Sequence, residues 1–156
     1  MIIKRAEVEN ASELNELLVQ VLNMHHEGRP DIFKGDTKKY TDDELIEIIK
    51  DDTRPIFVAV DDNGSVIGYA FCIFIQHINH NILTDIKTLY IDDLCVREEY
   101  RGQHIGKALY DYVVDFAKSE GCYNITLNVW ELNSDAKAFY ESLGMKPQKF
   151  GMETIL

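Results

Sequence analysis

Residues 87–121 read KTLYIDDLCVREEYRGQHIGKALYDYVVDFAKSEG, and their reading decides the fold. Lys87 to Val96 is an apolar run of strand length that holds Asp92 and Asp93 between Ile91 and Leu94. Gly102 to Gly106 then leads into a helix whose apolar positions are Ile105, Ala108, Leu109, Tyr112, Val113, Phe116 and Ala117, an unbroken stripe at helical spacing. Gly121 stands where the C-cap belongs. Tyr123 to Trp130 is the next strand, so the stretch encodes a strand-helix-strand crossover, which is right-handed and lays two strands parallel in one sheet. In such a sheet ligands bind beyond the carboxyl end of a strand that feeds a helix, here Val96 to Gly106.

Working outward, Ile56 to Val60 and Val66 to about His77 are strands joined by the Asn-Gly signal of Asp61-Asp62-Asn63-Gly64, hence antiparallel. Met1 to Ala6 is a short first strand. Asn10 to Glu13 has the form of a capping box, and Leu14, Leu17, Leu18, Val21 and Leu22 follow at helical spacing towards Gly28. Arg29 to Tyr40, with Pro30 and Gly35, is an ordered loop. Thr41 to Glu44 starts a short second helix that buries Leu45, Ile48 and Ile49 and is closed off by Pro55. After the crossover, Asn133 caps a helix through Ala136, Phe139, Tyr140 and Leu143, and Gly144 stops it. Two short strands, about Met145 to Lys149 and Met152 to Leu156, finish the chain. The order β-α-α-β-β-β-α-β-α-β-β predicts a mixed α/β fold, a sheet of roughly seven strands flanked by roughly four helices.

The 156 residues are 46% apolar and 28% charged, with 27 acidic against 16 basic side chains and a formal net charge of -11. This composition suits a single domain over residues 1–156, large enough to bury roughly 70% of its unfolded surface without disulfides or a structural metal. Val66 to Ile75, the longest apolar run, is about half the length of a membrane helix, and no basic-then-apolar leader opens the chain. The expectation is a soluble, cytoplasmic protein with no membrane partner. Without a basic surplus there is no nucleic-acid partner either. Cys72, Cys95 and Cys122 lie in apolar segments without metal-type spacing and read as reduced, buried thiols. His25-His26, His77 with His80, and the Asp61–Gly64 turn lack metal-site spacing, so no metal is expected.

Arg97-Glu98-Glu99-Tyr100-Arg101-Gly102-Gln103-His104-Ile105-Gly106-Lys107 places two glycines and three cationic side chains at the start of the strongest helix. Free backbone N–H groups at a helix N-terminus bind phosphate oxygens without any particular side chain. From Arg101 to Lys107 there is no acidic residue, in a chain that would repel phosphate almost everywhere else. The spacing fits neither a Walker loop nor a dinucleotide fingerprint. A plain helix entry would account for the pattern equally well.

Arg101-Gly102-Gln103-His104-Ile105-Gly106 resembles the Gln/Arg-x-x-Gly-x-Gly/Ala motif of the GNAT family of N-acetyltransferases, with His104 where the motif usually has glycine. Asn133, Phe139-Tyr140 and Leu143-Gly144-Met145 resemble that family's second block, and the element order matches over essentially the whole chain. The resemblance implies acetyl-CoA as acyl donor. Its pyrophosphate would lie on the backbone of Arg101, Gly102, Gln103, His104, Ile105, Gly106 and Lys107, and its pantetheine arm along Leu94, Cys95 and Val96 like an added strand. Asn133 would touch that arm from the other side. Tyr90 to Val96 is similar to the corresponding strand of the spermidine/spermine and related small-amine members, which implies Asp92, or next Asp93, as base and contact for a cationic acceptor.

The chemistry of the residues stands beside that resemblance. An alkylamine with a pKa of about 10 loses a proton before it attacks, at a cost of about 4 kcal/mol at pH 7, and a carboxylate both attracts the ammonium and takes the proton. Adjacent aspartates also suit a solvated strand end. Tyr140 by periodicity is a core tyrosine; by the resemblance it protonates the departing thiolate. Cys95 as an acyl nucleophile lacks an evident partner base. Phe33, Tyr40 and Trp130 serve as walls of an amine pocket or as ordinary packing. The leading expectation is an acetyl-CoA-dependent N-acetyltransferase of a small cationic amine, acting by direct attack in a ternary complex. The rivals are acetylation of a protein N-terminus or lysine, and a non-catalytic acyl-CoA sensor. By family analogy the late strands would pair across a homodimer.

Overall fold

The computed structural model describes all 156 residues. One sheet of five strands runs in the order β1 (Ile2–Arg5), β2 (Ile56–Val60), β3 (Val66–Gln76), β4 (Lys87–Val96), β5 (Asn124–Leu127). The first four are antiparallel neighbours, while β5 runs parallel to β4. α1 (Ala11–Gly28) and α2 (Asp42–Lys50) connect β1 to β2, α3 (Ile105–Ser119) makes the crossover from β4 to β5, and α4 (Ser134–Ser142) follows β5. The mixed α/β class is as the periodicity predicts. No helix is long and apolar enough to cross a membrane.

The sheet is covered on both faces, which is why every residue of β2 is buried. On one side Leu14, Leu17 and Leu18 of α1 and Leu45, Ile48 and Ile49 of α2 pack on Val58, Tyr69 and Phe71. On the other, Val113 and Ala117 of α3 pack on Phe57, Ala70, Cys72, Leu89 and Ile91. Each fully buried leucine contributes about 1.5–3 kcal/mol over its exposed state, so the α1 stripe alone fixes that helix firmly. Asn63-Gly64 makes the β2–β3 turn, with Gly64 at φ 82° and the Asp61 carboxylate accepting from the Asn63 and Ser65 amides at 2.9 and 3.0 Å.

Four expectations are corrected. The strands number five rather than seven, because neither 145–149 nor 152–156 forms strand pairing with the sheet. β5 ends at Leu127 rather than Trp130, because its pairing with β4 stops at Ile91↔Leu127, where the β4 register is broken at Asp92. The capping box forms one turn early, between Glu7 and Asn10 around a short 3-10 turn. There the Asn10 Oδ1 accepts from the Glu7 amide at 2.9 Å, so it does not cap α1, and Glu13 instead accepts from the Val66 amide at 2.9 Å. Of the three free thiols only Cys72 is buried; Cys95 and Cys122 are partly exposed.

Candidate active site

The site begins with an irregularity in β4. Phe71 of β3 stands opposite Asp93 and Cys72 opposite Ile91, so Asp92 is an extra, unpaired residue, a β-bulge. On the other side, pairing with β5 stops at Ile91↔Leu127. From Asp92 to Val96 the strand is therefore held by β3 alone and its second edge is open, a place where an extended chain of amides can add as a strand.

Beyond that edge the chain enters α3 through two left-handed residues, Gly102 at φ 76° and His104 at φ 62°. Histidine tolerates this region better than most residues, at a cost of about 1–2 kcal/mol relative to right-handed backbone. This is how His104 stands in for a motif glycine. The first satisfied amide is that of Ala108, which donates to the His104 carbonyl at 3.0 Å; the amides from Gly102 to Lys107 have no acceptor in the protein. Six backbone donors at a helix N-terminus fit a pyrophosphate. Gly106 serves packing instead. A Cβ there would lie 3.2 Å from Phe139 Cζ, so the glycine lets α4 pack against α3. Arg101 donates through Nε to the Val96 carbonyl at 3.3 Å, and Lys107 pairs with Asp111 at 2.5 Å, so both cations are partly engaged.

The bulge presents both carboxylates to the same neighbourhood. Asp93 is partly buried and accepts a 2.8 Å hydrogen bond from the Tyr69 hydroxyl. Burial raises its pKa, opposed by Tyr69 and by the charges of Lys39 and His25. Asp92 instead forms an ion pair with Lys39 Nζ at 2.8 Å. Burial works against the Lys39 charge, but Asp92 more than offsets this and holds its pKa up. Tyr140 of α4 is partly buried, and its hydroxyl has no hydrogen-bond partner in the protein. Burial, then Asp93 and Cys95, push its pKa well up, so it stays a protonated phenol rather than a phenolate. Burial and Asp93 also push the Cys95 thiol up to about 11, the wrong direction for a nucleophile.

These features sit where the GNAT resemblance places a donor site, and residues 18–145 match the model of the acetyltransferase (GNAT) family. The chain belongs to this family. A crystal structure of a Bacillus halodurans protein, solved as a point mutant, superposes with a TM-score of 0.95 at 33% identity, covering 100% of this chain and 99% of that one. Glucosamine 6-phosphate N-acetyltransferase of Arabidopsis thaliana is 29% identical over 74% of this chain and 67% of its own length. Thialysine N-epsilon-acetyltransferase of Bos taurus is 36% identical over 37% of this chain, a stretch that spans 34% of that enzyme. This GNAT protein is thus an N-acetyltransferase acting on amines, of a family whose acyl donor is acetyl-CoA.

The remaining sequence candidates in this GNAT chain divide. Asn133 caps α4 by accepting from the Ala136 amide at 3.2 Å, and its NH2 group has no partner in the protein. Phe33 and Trp130 meet edge to face at 5.3 Å between ring centres, and Phe33 also lies against His25 at 5.0 Å, forming one aromatic wall. Tyr40 is not part of that wall: it stacks on Phe71 at 6.3 Å, and Arg54 donates to its hydroxyl at 3.4 Å. Lys39, Tyr69 and His25 had no sequence signal as site residues. Tyr69 hides in a strand that is apolar up to its final Gln76, and Lys39 in a loop without periodicity.

Proposed function

We propose that the protein transfers an acetyl group from acetyl-CoA to a primary amine on a small cationic molecule. What carries the reading is the juxtaposition at the β4 bulge: two carboxylates, an unpartnered tyrosine hydroxyl and an open strand edge, next to six unbonded amides at the head of α3. Bound acetyl-CoA supplies an activated acyl group and a thiol leaving group. The α3 amides hold its phosphates, and Leu94, Cys95 and Val96 hold its pantetheine arm, so the acyl group is positioned over the bulge. The Leu94 amide polarises the acyl carbonyl. Asp92 and Asp93 attract the acceptor ammonium and take its proton, and the burial that raises the pKa of Asp93 suits it to the role of base. Tyr140 delivers a proton to the sulfur as it leaves. Phe33 and Trp130 wall the acceptor.

A free-thiol assay with polyamines, aminoglycosides and peptide amines tests this. Thiol release with the small cationic amines is the expected result. Release with peptide amines alone makes the protein a polypeptide acetyltransferase, and CoA binding without release on any amine makes it a sensor.

A further inference from the structure

An amine already occupies the place assigned to the acceptor. Lys39 Nζ lies 2.8 Å from Asp92 Oδ2, with 37% of the Lys39 side chain and 26% of the Asp92 side chain exposed, so the pair sits in the mouth of the site. The position is built. Tyr40, the next residue, is pinned on Phe71 and held by Arg54, and Thr41 caps α2 by accepting from the Glu44 amide at 3.1 Å. At the other end of the loop, His26 Nδ1 and the Phe33 carbonyl are 2.6 Å apart. Lys39 also lies 5.4 Å from the centre of the Tyr40 ring, whose face favours a cation. The chain thus delivers a tethered primary ammonium to a carboxylate of the bulge.

We propose that Lys39 is an internal acceptor, acetylated by the protein's own active site. The inference rests on the acetyltransferase reading of Asp92 and Tyr140. One proton leaves Nζ for Asp92, the nitrogen lone pair forms the N–C bond to the acetyl carbon, and the C–S bond breaks with its electron pair on sulfur. A second proton leaves the nitrogen as the bond forms, and Tyr140 gives its own to the sulfur and recovers one through solvent. Lysine ammonium and acetyl-CoA become acetyl-lysine, CoA thiol and one proton. The product is neutral and cannot pair with Asp92, so the modification frees that carboxylate and makes the site more negative by one charge. A cationic acceptor binds better to the modified protein, which makes Lys39 a self-removing gate.

The test is to incubate the full chain with acetyl-CoA and no added amine, following intact mass and then locating the modification on peptides. One acetyl group on Lys39 is expected, with a time course independent of protein concentration. It is lost in Lys39→Arg, about a hundredfold slower in Tyr140→Phe, and retained in Lys38→Arg, whose target pairs with Asp42 at 3.6 Å instead. Unmodified Lys39 in a preparation that releases thiol with external amines overturns this inference alone. So does acetylation at an undiminished rate in Tyr140→Phe, which marks uncatalysed chemistry. No thiol release with any amine and no modification overturns the acetyltransferase reading together with it.

Discussion

In the proposed reaction Tyr140 and Asp93 take opposite roles from the same cause. Burial disfavours the charged form of each, which keeps the phenol protonated as a donor and makes the carboxylate a better base. Tyr140→Phe removes a hydroxyl with no partner in the protein, so stability should hold while kcat falls about 10²–10⁴-fold, with CoA affinity by calorimetry unchanged. For Asp93 the sign follows from linkage. Its folded pKa lies above its unfolded one, so its contribution to stability is full below about pH 4, the ordinary carboxylate range, and is lost as pH rises through the folded value. Asp93→Asn keeps an acceptor for the Tyr69 hydroxyl and removes the buried charge. It should therefore raise Tm at pH 7, lose that advantage on acidification below the carboxylate range, and depress turnover throughout; an unchanged Tm at pH 7 would show that Asp93 is not strained by burial. In the sequence Asp93 was marked as an acid inside a strand, whereas Tyr140 was singled out by the family resemblance alone. Tyr69, which donates to Asp93, had no such signal, because in β3 a tyrosine among Ile67, Ala70 and Phe71 carries no mark that its hydroxyl is used.

At the level of elements, the crossover helix was the clearest feature of the sequence, and α3 follows its stripe closely. What periodicity could not show is what the two glycines of its entry do. Gly102 needs its positive φ and has open space where a Cβ would be, whereas Gly106 has ordinary helical backbone and a neighbour at 3.2 Å. Gly102→Ala should thus cost about 1–2 kcal/mol of stability through backbone strain. Gly106→Ala acts through Phe139, shifting α4 and with it Tyr140, the next residue. It should lower kcat more than its loss of stability accounts for, read as a fall in turnover under conditions where circular dichroism shows the chain still folded. Equal losses for the two variants would mean that α4 packing does not position Tyr140. The β4 bulge was legible only as an oddity, two acids inside an apolar run. That they mark an extra residue depends on the register with β3, a long-range fact. The misplaced capping box has the same origin: Glu13 is claimed by Val66, a residue of the opposite hairpin.

For the whole molecule the departure lies at the C-terminal end, where strand-like sequence forms no strand. Phe150, Met152, Ile155 and Leu156 are each more than three-quarters exposed, which a chain of this composition has no reason to leave in water. Within one chain the tail is held by the pairing of Glu153 with Arg29 at 2.6 Å, an exposed ion pair of a kind that contributes about 0–1 kcal/mol. Meanwhile β5 has a neighbour on one side only, and the groove beside it, about 360 Å3, is lined by Tyr110, Cys122, Ile125, Leu143 and Met145. A complementary edge and an apolar arm on the same molecule satisfy each other when two copies exchange arms, an isologous arrangement in which each tail adds to the other's β5. The chain should therefore sediment as a dimer, with a Tm that rises with protein concentration. Truncation after Lys146 removes no buried residue, so the shortened chain should remain folded, sediment as a monomer and lose the concentration dependence. If the full chain sediments as a monomer, the tail needs another partner, and its apolar residues then mark where to look for one.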